Sequence, residues 1–110
     1  MNTKKLPADF GYLKEMYEDE YFPKFLVNKL KEVISECVSF IEEGSHSKDE
    51  IQKELDRIVL KINELQEEFE ENESEIETVA RESIGETIER ILNYFEIDIE
   101  IEEAIREGDW

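Results

Sequence analysis

The sequence predicts an all-α fold, an antiparallel helical bundle of three long helices plus a short N-terminal helix and a short C-terminal helix. Three observations carry this. Apolar residues recur at helical spacing along most of the chain. Capping signals and turn residues interrupt that pattern where one helix would end and the next begin. Only two Pro and four Gly occur in 110 residues, too few for a loop-rich or fibrous chain. A chain of this length makes about one domain. Residues 1–110 are therefore expected as one unit, with 1–7 disordered.

The elements follow in order. Pro7 precedes a first short helix over about 8–19. Pro23 opens the second helix, because its missing N–H is no loss at a helix start. That helix runs to 43 and Gly44 closes it. The loop Ser45-His46-Ser47 leads into Ser47-Lys48-Asp49-Glu50, whose S-x-x-E form is a capping box. The third helix spans 48–71. Its residues Ile51, Leu55, Ile58, Ile62, Leu65 and Phe69 make a heptad seam without a miss. The second helix carries a seam Leu26, Leu30, Val33, Cys37, Phe40, with Val27, Ile34, Val38 and Ile41 beside it. Asn72 and Glu73 break the pattern, and a second S-x-x-E, Ser74 to Glu77, opens a fourth helix over 75–96. Its apolar set is Ile76, Ala80, Ile84, Ile88, Ile91, Leu92 and Phe95. Gly85, with Ala80, Ser83 and Thr87, makes a stretch of small side chains that would let a neighbour approach closely. The three long helices are each roughly 31–36 Å at 1.5 Å per residue. Short loops make them antiparallel neighbours. Ile97, Ile99 and Ile101 alternate with acids, but a lone strand would leave its backbone unpaired. A turn near Asp98 and a short helix over 101–107 are expected instead.

Charge narrows the partners. Thirty-one acids against thirteen bases give a net charge of −18. Nucleic-acid binders cluster Lys and Arg, and no base lies between Asn63 and Ala80. Direct nucleic-acid binding is not expected, nor is binding to an anionic membrane. No apolar run reaches the 18 or so residues of a membrane span. The opening MNTKKLPADFGYL lacks the apolar core of a secretory signal. One Cys makes no internal disulfide. A cytoplasmic location is expected.

No cofactor, metal or catalytic residue is expected. Acids at i, i+3 occur seven times, no more than composition alone would give, and those of the third and fourth helices lie largely outside the apolar seams. His46 has no second His or Cys nearby, and zinc takes about four ligands. Cys37 lies on a core seam, without the base partner and exposure of a nucleophile. Two features suggest contacts with protein. The run 64–77 holds eight acids and no base, and Glu67, Glu68, Glu70 and Glu71 fall at a helix C-terminus, where the macrodipole disfavours anions. Six of the eleven aromatics lie between Phe10 and Phe25. Tyr17, Tyr21 and Phe22, with Asp19 among them, are candidate anchors, since aromatic side chains are enriched at interfaces.

The stretch Tyr12-Leu13-Lys14-Glu15-Met16-Tyr17-Glu18-Asp19-Glu20-Tyr21-Phe22-Pro23, the stretch Ser74-Glu75-Ile76-Glu77-Thr78-Val79-Ala80-Arg81-Glu82-Ser83-Ile84 and the ending Arg106-Glu107-Gly108-Asp109-Trp110 resemble a family of small bacterial proteins known only as a domain of unknown function. The resemblance covers roughly 12–110. It implies a bacterial, stand-alone, single-domain protein and carries no activity, substrate or catalytic residue.

The expected function is protein–protein interaction rather than chemistry, of the immunity or antitoxin kind, with either a basic protein or a second copy as partner. A DNA mimic that inhibits a nucleic-acid-binding enzyme is the first alternative. A metal-dependent all-α hydrolase is the second.

Overall fold

A computed structural model describes residues 5–44, 46–108 and 110. The fold is all-α, with α1 (Lys14–Glu18), α2 (Lys24–Glu42), α3 (Lys48–Glu71), α4 (Thr78–Tyr94) and α5 (Ile101–Ala104). No strand forms among the described residues. The bundle measures 46 × 28 × 18 Å.

The α3 seam packs as its spacing requires. Ile51, Leu55, Ile58, Ile62, Leu65 and Phe69 are all buried, with Val59 beside them. The α2 seam is rotated from the expected one. Val27, Leu30, Ile34, Cys37 and Ile41 are buried, flanked by Leu26 and Val38, while Val33 and Phe40 are only partly buried. Two overlapping apolar stripes differ by one residue, about 100° around the helix, and the stripe richer in β-branched residues turned inward. Burial pushes the Cys37 thiol up to about 12, so at neutral pH it is a small apolar filler. Phe40 has another use. Its ring stacks on His46, with centroids 3.7 Å apart, and the imidazole also reaches the Glu43 carboxylate at 3.2 Å.

One of the two capping boxes forms. The Glu50 N–H donates to Ser47 Oγ at 3.1 Å, and the Ser47 N–H donates to Glu50 Oε1 at 2.8 Å. The second does not. Glu73 is left-handed at φ 58, and the Ser74 N–H donates to the Phe69 carbonyl at 2.8 Å. Ser74 is thus consumed in a Schellman turn that closes α3, its hydroxyl buried with no partner among the described residues. The chain stays extended until Glu77, the N-cap of an α4 that begins at Thr78. The C-terminus of α4 repeats the device. Glu96 sits at φ 58 and the Ile97 N–H donates to the Leu92 carbonyl at 2.9 Å. Only α2 uses the usual residue, Gly44 at φ 77. A left-handed conformation costs a non-glycine residue about 1 kcal/mol or more. Glu73→Gly and Glu96→Gly should each stabilise the fold by about 1 kcal/mol over the matching Ala variant, which removes the same charge. Equal denaturation midpoints for Gly and Ala would show that these turns are unstrained.

The first helix is much shorter than expected. Leu13 is left-handed at φ 50, so residues 5–12 run as a strap rather than a helix. The strap and α1 lie antiparallel to α4. The Tyr94 hydroxyl donates to the Lys5 carbonyl at 2.8 Å, Arg90 Nη1 to the Gly11 carbonyl at 3.2 Å, the Leu13 N–H to Thr87 Oγ1 at 3.1 Å, and the Ser83 hydroxyl to Glu15 Oε1 at 2.9 Å. The Leu6 N–H also donates to Glu42 Oε2 at 2.8 Å. Lys5 and Leu6 are thus hydrogen-bonded to α4 and α2. Residues 1–4 lie outside the described residues. The small residues of α4 lie on its inner side: Ala80, Ser83 and Thr87 are buried, with the Ser83 and Thr87 hydroxyls bonded to Glu15 and Leu13. Gly85 is different, because a Cβ placed there meets nothing within 4 Å. Gly85→Ala should stabilise the helix by about 1 kcal/mol, measured by chemical denaturation; a loss would reveal a close neighbour.

The tail turns as expected near Asp98, where the Ile99 N–H donates to the Ile97 carbonyl at 3.0 Å. It then crosses between α3 and α4, and α5 approaches both. Three α3 side chains hold it. Gln52 donates to the Glu103 carbonyl, Asn63 to the Glu107 carbonyl, and Asp56 accepts two bonds from Arg106 at 2.8 and 3.2 Å. Burial alone would raise the Asp56 carboxyl, but Arg106 and Gln52 hold it below its ordinary range. Trp110 folds back over Gly108, where an added Cβ would lie 3.0 Å from the ring.

Candidate protein-interaction surface

The α2–α3 hairpin carries a groove of about 540 Å³. Val33 and Leu65 contribute its apolar lining, and Glu64, Glu67, Glu68 and Glu71 its carboxylates, with Lys61 at one end. The two helices cross-link beside it. Lys29 pairs with Glu68, and Arg57 and Lys61 both pair with Glu36 at 3.1 and 3.0 Å. The Lys61 hydrogen bond, against the effect of burial, holds the Glu36 carboxyl below its usual range. These pairs use up the nearby cations. Glu64, Glu67 and Glu71 have no cationic partner among the described residues.

The acids expected to act together are therefore divided. Glu67, Glu68 and Glu71 share the groove. Glu70 turns to the other side of α3, where it lines a separate hollow of about 310 Å³ with Gln66, Glu75, Ile76 and Trp110.

The aromatic candidates separate as well. Phe22 is 2% exposed and belongs to the core, so its ring is not available at the surface of the folded chain. Tyr17 is half-buried, its hydroxyl bonded to Asn28 Oδ1 and its carbonyl accepting from Lys24 Nζ at 3.2 Å. Burial, and then the nearby Glu32, raises that hydroxyl above its ordinary pKa. Asp19 shapes the turn, because its carboxylate accepts the Tyr21 N–H at 3.0 Å. Tyr21 is 44% exposed and stands edge-on to Phe22. Phe25 is 51% exposed, and sequence reasoning passed over it as a site residue. Its signal was present. Phe25, Lys29 and Val33 share one face of α2 at i, i+4, i+8, turned about 100° from Leu26 and Leu30. Lys29 pairs with Glu68, so Phe25 lies one turn further on, at about the level of Glu71. Exposed aromatic surface thus stands at the mouth of a carboxylate-lined groove.

A second cleft, of about 600 Å³, lies between the first turns of α3 and the tail, with Lys48, Lys53 and Arg106 facing Asp98, Glu100 and Glu103. Its charges are mixed, and its Arg106 is engaged in holding the tail. Among the described residues, no group of three or more His, Cys, Asp and Glu side chains is placed to hold a metal ion. No helix is long and apolar enough to cross a membrane among those residues.

Fold and surface together define a small all-helical chain with an acidic groove between two of its long helices. The chain belongs to a family of unknown function, DUF5713, whose model matches residues 7–110. No curated protein and no solved structure matches it.

The unpaired acids have a measurable consequence. Self-repulsion at the 64–77 end destabilises the compact state. Raising salt from about 0.01 to 0.15 M shortens the Debye length from about 30 to 8 Å. The melting temperature should rise over that range; a flat or falling response would mean that these carboxylates do not repel one another.

Proposed function

We propose that the chain is a protein-binding module that acts by contact, not by chemistry, and takes a basic segment of its partner into the α2–α3 groove. One observation carries this reading. Phe25 is a large exposed aromatic at about the level of Glu71, and the groove's Glu64, Glu67 and Glu71 lack cationic partners among the described residues. An apolar anchor with a charged rim is the usual anatomy of a specific interface. The carboxylates would steer a basic surface in and fix its register. Masking a partner's basic working surface is how immunity proteins and antitoxins of this charge would act, and we place the protein in that functional class. A cytoplasmic site of action fits its single, buried, free thiol.

A photo-cross-linking side chain at position 25 tests this in the cells the chain comes from. A discrete adduct with a basic protein is expected from position 25 and none from position 102, on the exposed face of α5. The adduct should vanish with Glu67→Lys/Glu71→Lys. No adduct at 25, or one that survives the charge reversal, would sink the reading.

A further inference from the structure

The outward face of α3 carries a second heptad beside the buried one. Lys53, Arg57, Leu60, Glu64, Glu67 and Glu71 recur at spacings of 4, 3, 4, 3 and 4, which sets them in one stripe. All six are exposed, Leu60 at 47%. The order is two cations, a leucine, then three carboxylates. Within one helix this order is unfavourable. The cations stand toward the positive end of the macrodipole and the anions toward the negative end. Lys53–Arg57 and Glu67–Glu71 are like-charged i, i+4 pairs.

Turned end for end, the same order complements itself. Across a two-fold axis level with Ile62, Lys53 faces Glu71 of the other copy, Arg57 faces Glu67, and Leu60 faces Glu64. Symmetry repeats each pair, so four opposite-charge pairs flank two leucines that lie against the glutamate stems. The groups are available. Lys53, Glu64, Glu67 and Glu71 have no ion-pair partner among the described residues. Arg57 is fixed by Glu54 and Glu36 through Nε and Nη2, which leaves Nη1 for a second copy. Such a contact is isologous and closes at two chains.

We propose that a second copy of this chain docks antiparallel on the outward stripe of α3. Phe25 and Tyr21 lie outside the stripe, so this pairing does not depend on the groove reading. It places two cations over two of the groove's carboxylates, Glu67 and Glu71, and a basic partner would have to displace them.

Sedimentation equilibrium of the full chain at 0.15 M salt tests the pairing, with helicity checked by circular dichroism. The native chain should dimerise. Lys53→Glu/Arg57→Glu should weaken self-association by about 100-fold, because four modest pairs are reversed together, and Glu67→Lys/Glu71→Lys should do the same. An equimolar mixture of the two variants restores every pair and should form a heterodimer. A monomeric native chain, a variant that stays dimeric alone, or a mixture that stays monomeric would overturn the proposal. Lys53→Glu/Arg57→Glu leaves Phe25 and the groove carboxylates untouched, so its effect on cross-linking at position 25 separates a failure of this pairing from a failure of the groove reading.

Discussion

Replacing Phe22 by alanine is expected to destabilise the fold by about 3–5 kcal/mol, the range for an aromatic removed from a packed interior. The ring is 2% exposed, at the junction of the α1 segment and α2. The neighbouring aromatics should behave differently. Tyr21→Ala and Phe25→Ala remove rings that are 44% and 51% exposed, and each should cost less than about 1 kcal/mol of stability. If they anchor a partner, each should instead weaken association by about 2 kcal/mol or more. Denaturation and binding measured on the same three variants separate the roles. A Phe25→Ala variant that unfolds as readily as Phe22→Ala would make that ring part of the core and remove the anchor.

Thr87→Val should cost about 1–3 kcal/mol. The Thr87 hydroxyl accepts the N–H of Leu13, which is wholly buried. Valine keeps the shape and removes the acceptor. The N–H is then buried without a partner, and its lost hydration is not replaced. Thr87→Ser keeps the oxygen and should retain most of the stability. Hydrogen exchange gives the local readout: the Leu13 amide should exchange faster in the Val variant and stay protected in the Ser variant. Equal protection in both would mean that the strap does not depend on this bond.

These two residues also show where the sequence was legible. The α3 seam was readable because one unbroken period allows only one buried face, and Ser47–Glu50 was readable because a capping box is local. Ser74–Glu77 has the same letters and failed. A Schellman turn at the end of α3 competes for the Ser74 backbone, and glutamate at a left-handed position gives no hint of it. In α2 two stripes one residue apart left the buried face undecided by patterning alone. Phe22 precedes the helix, so no period fixes its direction, whereas Phe25 lies inside α2 beside a buried leucine and its outward placement could have been derived. Glu70 parted from Glu67, Glu68 and Glu71 because a dense acidic run covers more than one face of a helix. The short α1 was hidden by the left-handed Leu13, which ends the regular backbone where residue preference would continue it.

The strap has a consequence for how the chain is made. Its contacts with α4 join residues 68 to 89 positions apart, and the Leu13–Thr87 bond alone spans 74. A chain built from its N-terminus at about 5–20 residues per second needs roughly 4–15 s to pass from one to the other. The α2–α3 hairpin can close within that interval, from local contacts that form early. Leu13 and Met16 must wait uncovered until α4 emerges, so the first segment synthesised is among the last to find its place. A nascent chain stalled before position 87 should therefore show a protected hairpin and an N-terminal segment open to protease.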